Sequence, residues 1–137
     1  MKVAIIGGTG FVGGYLTDAL LKAGHSPSLL VRTGSESKLH ESGRVQTTSG
    51  DIASPEALRS LLNGCSAVIY NVGILRESPR RGITFEESQY QGLVRTVEAA
   101  RATGVRRLLL MSANGVKKPG TPYQETKRRA EEFALQS

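Results

Sequence analysis

A chain of 137 residues with 39% hydrophobic and 22% charged side chains matches one soluble globular domain, residues 1–137, with a modest core. No apolar run approaches the roughly 18 to 20 residues that span a bilayer. The lone Cys65 excludes an internal disulfide and offers no metal-ligand spacing, so no metal is expected and a reducing cytoplasm is the expected setting. The formal net charge of +6 could favour an anionic partner, but the basic residues are scattered and Trp is absent, which argues against nucleic acid.

Met1-Lys2 leads straight into the apolar run Val3 to Ile6, so a signal peptide is not expected. Similar runs follow at Leu29 to Val31, Ala67 to Tyr70 and Leu108 to Met111, each nearly all apolar, as in parallel strands covered on both faces. Arg44 to Thr48 alternates and reads as an edge strand.

Helical patterns lie between these runs. Val12, Leu16, Ala19, Leu20 and Ala23 keep the 3.6 period, and Gly24 ends it. Ser54-Pro55-Glu56 is an N-cap, a first-turn proline and a first-turn acid, leading to Leu58, Leu61 and Leu62. Tyr90, Leu93, Val94, Val97 and Ala100 form the stripe of a longer helix closed by Gly104. Thr121-Pro122-Tyr123-Gln124 opens the last helix as a capping box.

The alternation predicts an α/β fold: a doubly wound parallel sheet of five strands in order 3-2-1-4-5, with helices on both faces. That order leaves Leu108 to Met111 as an apolar edge, a pairing hazard that proteins normally cover. A partner chain or second copy, the last helix and loops, or a longer protein of which this is the front half would serve.

Between the first strand and first helix stands "GGTGFVGG", whose Gly7, Gly10 and Gly13 fit G-x-x-G-x-x-G. Such glycines can serve a tight turn. In this strand-to-helix context they also leave a helix N-terminus open, where bare N–H groups and the positive dipole end attract a pyrophosphate. Gly7, Thr9, Gly10, Phe11, Val12 and Gly13 are therefore the expected phosphate-binding set. At the end of the second strand a carboxylate would bind ribose hydroxyls and repel a 2′-phosphate. Here Val31-Arg32-Thr33 supplies an arginine instead, which favours NADP(H) over NAD(H), although a solvated strand-end arginine would look the same.

With "VRTG", "GDI", "YNVGILRE", "MSANG" and the Y-x-x-x-K of "YQETK", the chain resembles the extended and atypical branches of the short-chain dehydrogenase/reductase superfamily. The stretches "VIYNVGILRES" and "VEAARATGVRRLLLMSANG" look most like the family of the dehydrogenase-like accessory subunit of respiratory complex I, whose bacterial members are epimerase/dehydratase-like. The resemblance implies a Rossmann fold in which Asp51 and Ile52 border the adenine. It also implies that Asn71, Val72 and Gly73 run beside the nicotinamide-side ribose. From residues alone, Asp51 could equally be a turn aspartate before the Ser54 cap, and Arg76, Arg80 and Arg81 read as surface charge.

Tyr123 and Lys127, four apart, project from one helix face. An unassisted phenol ionises near pH ~10, so proton transfer at neutral pH needs a nearby cation. The resemblance makes Tyr123 the acid/base, Lys127 its cation and a ribose ligand, and Ser112 a donor to a substrate carbonyl. From residues alone, Tyr123 could equally pack at a helix start and Ser112 be a strand-end hydroxyl bonded to backbone. In many extended members the active hydroxyl lies where Ala113 and Asn114 stand. Family members continue with a sixth strand and a carboxy-terminal region that builds the substrate pocket. The expectation is thus either part of an oxidoreductase acting on an unknown small molecule, or a non-catalytic coenzyme-binding module serving as a redox sensor or assembly subunit.

Overall fold

A computed structural model describes residues 1–39 and 43–137. Five parallel strands form one sheet in the order β3-β2-β1-β4-β5, as the alternation predicts. They are β1 (Lys2–Ile6), β2 (Ser26–Val31), β3 (Gln46–Ser49), β4 (Ala67–Tyr70) and β5 (Arg107–Leu110). The helices are α1 (Phe11–Lys22), α2 (Pro55–Leu62), α3 (Gly92–Thr103) and α4 (Pro122–Leu135).

β2 begins three residues before its apolar run, and Pro27 lies inside it, paired with Val3 of β1. The N–H of Ser26 points to β1, so the N–H that Pro27 lacks would face the β3 side. β3 starts only opposite Ser28, and no ladder bond is lost.

The two faces of the sheet are covered unequally. Ala4, Ile6, Leu30, Val68 and Tyr70 meet α2, α3 and Ala130 of α4 in the main core. The opposite face holds a small cluster, Ile5, Leu29 and Val31, with Leu16 and Leu20 of α1 at its rim. Helix α1 departs here from its predicted stripe. Its buried residues are Gly13, Gly14 and Thr17, whereas Val12, Ala19 and Ala23 are exposed. The bare glycines let the helix axis approach β1, and Thr17 pays its polar cost by donating to the Gly13 carbonyl at 2.8 Å. The stripe is thereby rotated to the flank.

β5 is the second departure. The register sets Ile5 beside Leu29 and Ile69, and Ile69 beside Leu109, in one row on the α1 face. Helix α1 covers only the near end of that row, so Leu109 is 48% exposed and Met111 40%. The strand is an edge, but among the described residues nothing covers this face of it.

The caps follow the sequence. The Ser54 hydroxyl accepts from the Ala57 N–H, Thr121 and Gln124 exchange both bonds of a capping box, and Gly24 and Gly104 stand at φ +76 just past their helices. Unforeseen is a π-helical turn, Glu86–Gln91, leading into α3. The Tyr70 phenol donates to the Ser88 carbonyl at 2.7 Å, and it fits only because Gly92 has no side chain: a Cβ there would stand 2.2 Å from the phenolic oxygen. Burial pushes the Tyr70 phenol far up, so it remains a neutral donor.

Candidate functional site

A cleft of about 260 Å³ opens at the carboxyl ends of β1, β2 and β4, the crevice position of open α/β sheets. Gly7, Thr9, Gly10, Arg32, Asp51, Ile52, Asn71, Val72 and Gly73 all line it, each of them expected from the sequence. Ile6 and Leu30 line its floor from the strands, and no expectation from the sequence covers the remaining lining residues, Ile74, Ile83 and Ser88. They come from the excursion after β4, where Ser78 and Ile83 close an antiparallel clip, with the Ser78 N–H donating at 2.7 Å and the Ile83 N–H at 3.2 Å. The run Ser-Pro-Arg-Arg-Gly within that clip carries turn residues that could have marked it.

The three glycines meet different constraints. Gly7 stands at φ +87, and a Cβ would lie 2.6 Å from the Asn71 carbonyl oxygen. At Gly13 a Cβ would meet the Gly7 oxygen at 2.4 Å. Chain packing alone therefore requires both. Gly10 is different: its φ of −81 is open to any residue, and a Cβ would meet only the Gly7 oxygen, at an ordinary 3.5 Å. Packing leaves this position free, and it faces the cleft.

Gly10 is also the N-cap of α1, so no side chain caps that helix, and its first turn holds no acid. The i→i−4 ladder begins with the Gly14 N–H on the Gly10 carbonyl at 3.0 Å, leaving the N–H groups of Phe11, Val12 and Gly13 ahead of it. Helices α2 and α4 each satisfy their own N-termini through Ser54 and Thr121. Of the phosphate-binding set, the side chains of Phe11 and Val12 turn to solvent, Phe11 at 81% exposure, so only their backbone could serve an anion.

Arg32 is exposed at the end of β2, and Asp51 follows β3. One Asp51 oxygen accepts from the Ala53 N–H at 2.9 Å, the turn bond of the plainer reading, and its other oxygen has no hydrogen-bond partner among the described residues. Arg95 anchors the adjoining Ile52 carbonyl at 2.9 Å and pairs with Glu87. The Asn71 amide donates to the Gly7 carbonyl at 3.3 Å, tying β4 to the glycine loop.

Lys127 is 3% exposed, and its ammonium donates to the carbonyls of Val72 (3.3 Å) and Met111 (3.0 Å). Burial lowers its pKa, with Glu131 opposing the shift. A Cβ on Gly73 would come within 3.5 Å of the Nζ, so the ammonium stands behind the cleft wall. Tyr123 is half-buried, with its ring edge-on to Phe85 at 5.9 Å between centroids. The Ser112 hydroxyl is buried without a hydrogen-bond partner among the described residues, two residues past the end of β5. None of Tyr123, Lys127 and Ser112 lines the cleft itself.

The family described as NAD(P)H-binding matches residues 7–136, nearly the whole chain. The chain belongs to the NAD(P)H-binding family. This NAD(P)H-binding domain is 32% identical over 135 residues to the ceramide reductase of Caulobacter vibrioides, covering 98% of this chain and 42% of that protein. It is 24% identical over 138 residues to the photosystem II assembly factor Ycf39 of Synechocystis, covering 100% and 41%. Similarity to a UDP-glucose 4-epimerase of Klebsiella pneumoniae is 27% over 139 residues, covering 92% of this chain and 100% of that sequence. Among solved structures, a short-chain dehydrogenase/reductase superfamily protein from Agrobacterium tumefaciens with bound NAD superposes with a TM-score of 0.78 at 24% identity, covering 98% of this chain and 44% of that one. The domain thus spans about two fifths of the ceramide reductase and of Ycf39.

Proposed function

We propose that this domain binds a nicotinamide dinucleotide, NADP(H) in preference to NAD(H), and serves an oxidoreductase acting at a carbonyl or alcohol carbon. The observation that carries the reading is the uncapped N-terminus of α1, opening on a cleft at a glycine that packing does not require. An external diphosphate is the natural partner for those N–H groups. Arg32 supports the preference for a 2′-phosphate, and Asp51 keeps one carboxylate oxygen for the adenine amine.

When bound, the nicotinamide supplies or accepts the hydride. The chain's own part is to orient and to move a proton. Lys127 spends two of its three N–H donors on Val72 and Met111, which leaves one for a ribose hydroxyl beyond Gly73. Tyr123, one turn earlier on α4, is the proposed acid/base at its phenolic oxygen. Ser112 is the proposed carbonyl donor, its proton committed to no other group among the described residues. Similarity to a ceramide reductase favours carbonyl reduction in the full-length protein.

In the full-length protein, Tyr123→Phe should abolish coenzyme oxidation with a panel of ketones and aldehydes, while NADPH affinity stays within about twofold. Retained turnover would remove the catalytic assignment. Similarity to Ycf39 along the entire chain supports a second reading, an assembly module held in shape by its coenzyme. Tight coenzyme binding with no turnover in either form would favour that one.

A further inference from the structure

Beside the dinucleotide cleft lies a wider cavity of about 620 Å³, which shares Arg32, Asp51, Ile52, Ile83 and Ser88 with it. The rest of its wall includes Glu87 and the run Arg81-Gly82-Ile83-Thr84. Arg81 read as surface charge in the sequence, yet the fold brings it to the same space as Arg32. Its backbone is fixed there. The Arg81 N–H donates to the Ser78 carbonyl and the Gly82 N–H to the Pro79 carbonyl, both at 2.9 Å, while Gly82 takes φ +68 to close the clip.

With the Glu87 carboxylate already paired with Arg95, the two guanidinium groups of Arg32 and Arg81 face a single remaining carboxylate, Asp51, one of whose oxygens accepts from the Ala53 N–H. Among the described residues, neither Arg32 nor Arg81 has a carboxylate partner. Two guanidinium groups sharing one cavity repel each other, and a dianion placed between them would relieve that repulsion. If the diphosphate sits on the α1 N-terminus and the adenine edge at Asp51, the adenosine ribose would fall next to Arg32, which lines the same cleft. A phosphate monoester on that ribose would enter the shared space.

We propose that Arg81 is a specificity-determining residue: together with Arg32 it grips the 2′-phosphate of the bound dinucleotide and so sets the preference for the phosphorylated coenzyme. The inference rests on the dinucleotide reading above and deepens it. Arg32 comes from the end of β2 and Arg81 from the clip after β4, so the phosphate bridges two separate segments. Each planar fork can present paired donors to it.

The test is calorimetric titration of the protein and its Arg81→Ala, Arg32→Ala and Arg80→Ala variants with NADPH and with NADH, after thermal melts confirm that each variant is folded. Arg81→Ala should weaken NADPH binding about tenfold and leave NADH within about twofold, with a smaller NADPH loss in high salt. Arg80→Ala, one residue away and outside both cavities, should change neither. Equal losses for both coenzymes would place Arg81 over the adenine rather than on the phosphate and overturn the proposal. An unchanged NADPH affinity would also overturn it, leaving Arg32 to act alone. If the unaltered protein bound neither coenzyme, the dinucleotide reading itself would fall, an outcome distinct from both of these.

Discussion

One methyl group added at Gly13 would sit 2.4 Å from the Gly7 oxygen and 2.6 Å from the Gly8 backbone, whereas the same group at Gly10 would touch nothing closer than 3.5 Å. Gly13→Ala should therefore destabilise the domain by about 1–3 kcal/mol, the usual cost of overpacking. Gly10→Ala should cost under about 1 kcal/mol, because its backbone already suits alanine and only the cap changes. Its coenzyme affinity should nevertheless fall about tenfold or more, since the new Cβ enters the cleft. Urea unfolding beside coenzyme titration separates the two; equal loss of stability would remove the distinction. The glycine pattern was legible as a motif, but which glycines packing requires was not: Gly13 is fixed by how closely the folded loop brings back the Gly7 oxygen, and Gly7 by the Asn71 carbonyl, 64 residues further along the chain. Arg80 and Arg81 make the same point, since local sequence cannot tell which neighbour turns inward.

Helices α2 and α4 announce themselves through Ser54 and Thr121, because a capping bond closes within three residues and needs no distant partner. The π-helical turn gave no such signal. It depends on the Tyr70 phenol reaching Ser88 past Gly92, a contact between two elements. Lys127 is likewise an inter-element tie, joining α4 to the ends of β4 and β5 through two carbonyls. Its pKa in the fold lies below 10.5, so between the lowered value and 10.5 the unfolded chain binds more protons than the folded one. This site's contribution to stability consequently rises with pH across that window and levels off above it. Unfolding free energies of the protein and of Lys127→Met should diverge in favour of the protein as the pH rises through the alkaline range toward 10.5. A difference that stays constant with pH would contradict the burial argument.

At the scale of the whole molecule, strand order and parallel pairing were readable from four apolar runs and one alternating one, because parallel strands buried between helices leave little room for polar residues. How well each face is covered was not readable. The main core draws on three helices, while among the described residues the opposite face is packed by α1 with Leu39 and Val45, and Leu109, Met111, Phe11 and Tyr15 stay exposed. Both faces nonetheless converge on one cleft, where the glycine loop, the end of β2 and the excursion after β4 meet. A ligand seated there contacts segments from across the chain, so binding should stabilise the entire fold and raise its unfolding temperature. The most direct test is titration of the folded domain with NADPH and NADH while heat is recorded. The account predicts saturable one-to-one binding that is stronger for NADPH; no heat with either coenzyme would contradict it.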